Sequence, residues 1–168
     1  MKKFSLLCLF ALMASICTFA QTTITWTISG VNTQASGGKD VNTTLKTSSV
    51  VGGSGTWTAV ASKSYAGSNK GAQLGSGSYP FNGTITLSES SIPKDAVITN
   101  IAITATTATT YNVSATVNDV VFCEATKIVT ATKNSLSGSA VGNSIVLTFA
   151  QSGSVKNIIL NSATLLQI

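Results

Sequence analysis

The sequence predicts an all-β protein: a two-sheet antiparallel β-sandwich, jelly-roll-like, with about eight to ten short strands. Three observations carry that expectation. Apolar and hydroxyl-bearing residues alternate strictly in several runs, as in TTITWTIS from Thr22 to Ser29, which is the period of a half-buried strand. Turn-forming residues recur at intervals of about 8 to 12 residues. Beyond residue 20 no segment repeats its apolar residues at helical spacing.

The first twenty residues stand apart. Met1-Lys2-Lys3 precedes an apolar run from Phe4 to Phe19, and small residues lead to Ala20-Gln21. That is the layout of a signal peptide cut after Ala20. The run falls short of the roughly 20 apolar residues that span a bilayer, and no second such run follows, so the mature chain is expected to carry no transmembrane segment. Residues 21–168 are expected to form one sandwich domain that is secreted or held at the cell surface, with the periplasm as a further destination.

Within the mature chain, Ile24, Trp26 and Ile28 share one face of a first strand, which assigns Trp26 to the core. Val41 to Val51 is a weaker strand, because Val41, Leu45 and Val50 are too irregularly spaced for one clean face. The glycines of Gly52-Gly53-Ser54-Gly55 are read as a turn rather than a phosphate cradle, since the following Thr56 to Ala61 is β-type and provides no helix N-terminus. Ser62 to Asn82 is a long Gly/Ser-rich stretch, of which Lys70 to Leu74 is expected to pair as an edge strand. Asn82-Gly83 marks a turn before a strand at Thr84 to Ser88. Ala96 to Ala105 is apolar on both faces and reads as a central covered strand. Tyr111, Val113, Ala115 and Val117 alternate toward a core, and Asn118-Asp119 turns them back into Val120 to Ala125. Ile128 to Thr130 is expected to form a further short strand and Leu136 to Asn143 a Ser/Gly connection. Ser144 to Phe149 is expected to pair with Val155 to Leu160, and Thr164 to Ile168 to finish the chain.

Composition narrows the chemistry. Of ten basic residues, all lysine, Lys2 and Lys3 belong to the leader; the remaining eight face five acids, a net charge of +3 without arginine or histidine. The lysines are scattered and the guanidinium fork is missing, so nucleic acid is not an expected partner. Cys8 and Cys17 lie in the leader, which leaves Cys123 without an intramolecular disulfide partner and reads it as a small hydrophobe. One cysteine and no histidine build no zinc site, and no EF-hand or aspartate ladder is present. Asp40, Glu89, Asp95, Asp119 and Glu124 make up the whole acid supply, with no histidine to activate a nucleophile. The expectation is a non-enzyme with no cofactor and no metal.

Five segments in order resemble a β-sandwich module that recurs in secreted and surface proteins of Bacteroidetes and some Gram-positive bacteria. They are Gly71 to Ser76 (GAQLGS), Thr84 to Leu87, Ala96 to Ile101 (AVITNI), Ile145 to Phe149 (IVLTF) and Lys156 to Leu160 (KNIIL). The resemblance implies an architecture like that of carbohydrate-binding jelly rolls and brings no catalytic residues with it. The chain departs from that pattern across Ile158 to Ala163, which leaves the register of the last strand open.

Together these readings give an exported, non-catalytic binding module for a glycan or another extracellular polymer. The alternative is a structural or adhesive surface protein that acts through edge strands or self-association. Aromatic faces stack on sugars, so Trp57, Tyr65 and Tyr79 are the candidate ligand-binding residues. Against them stands the reading that Tyr79-Pro80-Phe81 plugs the end of the sandwich.

Overall fold

The computed structural model describes residues 21–33, 41–52, 57–64, 66–68, 71–76, 81–107, 111–130, 132–152 and 158–168. Twelve strands lie among them: β1 (Thr22–Val31), β2 (Val41–Val51), β3 (Trp57–Ser64), β4 (Ala66–Ser68), β5 (Ala72–Leu74), β6 (Thr84–Glu89), β7 (Val97–Thr107), β8 (Tyr111–Val117), β9 (Val120–Lys127), β10 (Lys133–Val141), β11 (Ser144–Gln151) and β12 (Ile158–Gln167). β4 and β5 have three residues each; the other ten match the expected strand number.

Two antiparallel sheets pack as a sandwich. The first runs β10-β7-β12-β1-β2, with β5 beside the start of β12 and β4 outside β5; the second runs β3-β6-β11-β8-β9. β2 belongs to both: Leu45 to Val51 pairs with β1, whereas Val41 to Thr44 pairs with β3. β9 and β10, the outermost strands of that path, are not hydrogen-bonded to each other, so the sandwich stays open rather than closing into a barrel.

The core lies between the sheets. Ile24, Trp26 and Ile28 of β1 are buried, as their alternation predicts, and so is the whole Tyr111, Val113, Ala115, Val117 series of β8. Each such large side chain contributes about 1.5–3 kcal/mol on burial. Phe81 is fully buried, with its ring centroid 5.3 Å from that of Phe149. Its backbone N–H donates to the Tyr111 hydroxyl at 3.1 Å. Of the Tyr-Pro-Phe segment, Phe81 is therefore an anchor to the core.

Asn118 and Asp119 take φ of 46° and 65°, the left-handed pair that a two-residue β-hairpin needs, and they join β8 to β9 as expected. Several other elements differ from expectation for identifiable reasons. Asn82-Gly83 makes no left-handed turn, since Gly83 has no positive φ; instead Asn82 Oδ1 accepts the Gln151 N–H and Gly83 O accepts the Phe149 N–H, each at 2.9 Å. Lys70 to Leu74 contributes β5, which lies between β12 and β4 rather than at an edge. Ile128 is not in a strand: its side chain is buried and its N–H donates to Tyr111 O.

The segment read as a Ser/Gly connection is the strand β10. Leu136 and Ala140 are buried there, with Gly138 between them. A Cβ on Gly138 would lie 2.1 Å from the Phe122 carbonyl oxygen of β9, so the strand carries glycine where β9 approaches closely. Nor is β11 paired with the last strand. β11 lies between β6 and β8, and β12 is one continuous strand between β1 and β7 in the other sheet. β7 is second from the edge, and the register shift between Asn100 and Ile98 lets Ile98 and Ile101 both enter the core despite their odd spacing.

Candidate functional site

Strict alternation on β1 sends Thr23, Thr25 and Thr27 outward as Ile24, Trp26 and Ile28 go inward. The pairings of β1, β12, β7 and β10 then continue that outer face in three rows free of register shifts. One row reads Ser49, Thr27, Ser162, Thr104, Lys133; the next Val51, Thr25, Thr164, Ala102, Ser135; the third Thr23, Leu166, Asn100, Ser137. Nine of these fourteen positions carry a hydroxyl and one an amide. These fourteen positions hold no acid and no aromatic residue, and their single charge is Lys133 at the border; Lys46 lies beyond the rows, opposite Gly30.

Neighbours within a row stand about 4.8 Å apart, and neighbouring rows are about 6.7 Å apart along the strands. The middle row is partly satisfied within the chain, since the Thr25 and Thr164 hydroxyls hydrogen-bond to each other at 3.2 Å. Ala102 in that row is 2% exposed although it is not part of the core cluster. Its methyl group is therefore covered by the residues around it. The Thr27, Ser162 and Thr104 side chains make no hydrogen bond to other described residues. Each hydroxyl there offers one donor and two acceptor lone pairs to a ligand.

Among the described residues the ionisable groups form no comparable assembly. Among the described residues no group of three or more His, Cys, Asp or Glu side chains could hold a metal ion. Asp95 and Asp119 lie in turns, and Glu124 lies on β9. Cys123 is half-buried against the core. Burial pushes its thiol above the ordinary value, a hydrogen bond with the Ala115 backbone opposes this, and the neighbouring Glu124 carboxylate adds to the rise. That is the opposite of what a nucleophilic thiolate needs. Among the described residues no helix is long and apolar enough to cross a membrane.

Of the three aromatic candidates only the backbone of Trp57 is described; it opens β3 opposite Glu89. The Trp57 side chain, Tyr65 and Tyr79 lie outside the described residues.

Trp57 opens its strand at the end of the sandwich where β1, β7, β9 and β11 also begin. Exposed Val51, Val120, Val121, Val141 and Ile168 gather at this end. A cavity of about 410 Å³ opens there, lined by Thr22, Pro93, Asp95, Ala96, Val97, Gln167 and Ile168. Its edge is fixed by Ile168 and Val97, which exchange backbone hydrogen bonds of 3.0 and 3.2 Å.

The hydroxyl rows were only half visible in the sequence. Alternation on β1 showed outward threonines, but their neighbours come from the far end of the chain, with 139 residues separating Thr25 from Thr164. No family model, curated protein or solved structure matches the chain.

Proposed function

We propose that the chain is an exported, non-catalytic binding module that lays the outer face of its first sheet against a neutral extracellular glycan. The observation that carries this reading is the set of three registered rows, rich in hydroxyls and free of acids. A neutral polysaccharide is a dense array of hydroxyl donors and acceptors, and serine and threonine hydroxyls meet it in either role. The scarcity of charge favours it over an ionic polymer. The leader-like first twenty residues and the likeness to secreted sandwich modules agree with an extracellular setting.

Binding of residues 21–168 to a panel of insoluble and arrayed neutral polysaccharides tests the reading. Thr27→Val, Ser162→Ala and Thr104→Val combined are expected to abolish retention on whichever glycan the parent binds. A parent that binds none of the panel, or a triple variant that binds as the parent does, would sink the proposal. Trp57→Ala, Tyr65→Ala and Tyr79→Ala combined form the competing set, and loss of binding there with the hydroxyl variant intact moves the site to the aromatics.

A second reading, docking on a protein partner or on another copy, is favoured by the exposed valines at one end. Strand addition is the less favoured route, because register shifts interrupt both β9 and β10, and bulges blunt an edge for pairing. Light scattering over a concentration series tests self-association, and a strict monomer at high concentration counts against it.

A further inference from the structure

We infer that the chain associates head to tail with further copies of itself, the Val129 loop at one end of the sandwich seating in the cavity at the other; this rests on the second reading under Proposed function. Val129 is 53% exposed, yet its backbone is held on both sides. Its N–H donates to Asn134 Oδ1 at 2.6 Å, and Asn134 Nδ2 donates to Val129 O at 2.9 Å and to Thr132 O at 2.8 Å. The preceding Ile128 is buried, and its N–H donates to Tyr111 O at 3.0 Å. An exposed apolar side chain on so fixed a backbone loses little freedom when a partner covers it, which is the property of a docking knob.

The cavity of about 410 Å³ supplies the matching hollow, with apolar walls from Pro93, Ala96, Val97 and Ile168 and with exposed Asp95 in its lining. Val141, exposed opposite Val97, extends the apolar surface beyond it. Charge decides that the occupant is a second copy. At the cavity end Asp95 and Asp119 are exposed and Glu89 closes β6, with Lys94 as the one described lysine there. At the Val129 end Lys127 closes β9 and Lys133 opens β10, both exposed and without an acid among the described residues of that end. Lys63, near the end of β3, and Lys46, opposite Gly30, also lie toward it, whereas Glu124 sits in the middle of β9. An apolar knob between two ammonium groups thus complements an apolar hollow beside carboxylates, and one chain carries both. The rim charges orient the encounter, and burial of Val129 with the lysine stems provides the apolar contact. Because knob and cavity lie at opposite ends, each added copy leaves one of each free, and growth continues rather than closing at a dimer.

The test is sedimentation velocity of residues 21–168 over a concentration series, in which the average mass is expected to keep rising past that of a dimer. Val129→Asp disables the knob, and Asp95→Lys sets the cavity's charge against Lys127 and Lys133. Both positions are exposed, so both variants are expected to keep the parent's circular dichroism; Ile168→Asp takes the place of Asp95→Lys if that variant does not fold. Each variant alone is expected to associate about tenfold or more weakly than the parent. Mixed, the two are expected to form a one-to-one dimer that does not grow, since the Asp95→Lys chain keeps its knob and the Val129→Asp chain keeps its cavity. A parent that stops at a dimer, variants that associate as the parent does, or a mixture that stays monomeric overturns the inference and leaves self-association through other contacts standing. A strictly monomeric parent removes both.

Discussion

Replacing Tyr111 by Phe removes the hydroxyl that holds a buried backbone N–H in the core. That hydroxyl accepts the buried Phe81 N–H, the bond that fastens the chain entering β6. The ring of the replacement fills the same space, so no cavity opens, and the loss is confined to what the hydroxyl does. A buried N–H left without its acceptor costs about 1–3 kcal/mol. A mid-range loss of about 2 kcal/mol corresponds to a fall in Tm of about 4–8 °C for a chain of this size.

The pH profile gives an independent handle. Burial raises the Tyr111 phenol above its ordinary 10.0, against the opposing effect of the Phe81 hydrogen bond. The folded state therefore holds this proton to higher pH than the unfolded chain does. The associated stability is complete below about pH 10 and is lost as pH climbs through the raised value. Urea unfolding of parent and Tyr111→Phe across neutral and alkaline pH measures both effects. The variant is expected to start lower at pH 7 and to decline less steeply above pH 10. A variant within about 0.5 kcal/mol of the parent at pH 7, or one with an unchanged alkaline slope, refutes the reasoning.

Gly138→Ala places a methyl group 2.1 Å from the Phe122 carbonyl oxygen and is expected to cost about 1–3 kcal/mol in urea unfolding; parent-like stability would show that β9 and β10 are not held this close. Labelling of Cys123 by a chromogenic disulfide is expected to be several-fold slower than that of free cysteine at neutral pH, and to accelerate as pH rises past 9.0. Rapid labelling at pH 7 would contradict the burial of the thiol.

What the sequence made legible was local and in phase. β1 and β8 could be read because each is an unbroken alternation, and the Asn118-Asp119 turn marked where β9 comes back along β8. β2 was readable only as irregular, and its physical cause is that it leaves one sheet for the other at Thr44/Leu45. β10 was hidden by the glycine that the approach of Phe122 demands. β7 looked apolar on both faces because a register shift changes its phase between Ile98 and Ile101. The pairing of β12 with β1 rests on contacts across nearly the whole chain, which no local pattern encodes. The candidate face inherits that limit: its threonines on β1 were visible, and the rows they belong to were not.

That long-range pairing has a consequence in time. Thr25 must wait for Thr164, 139 residues later, and at synthesis rates of about 5–20 residues per second the wait is roughly 7–28 s. For that interval β1 has neither its sheet neighbour β12 nor a finished core to receive Ile24, Trp26 and Ile28. A nascent strand of this kind is a ready target for wrong pairing, so a chaperone that shields residues 22–31 would raise the yield of folded protein without touching the finished molecule. Completion of the hydroxyl face is then among the last events of folding, and a chain cut short before β12 carries every threonine of β1 but no face.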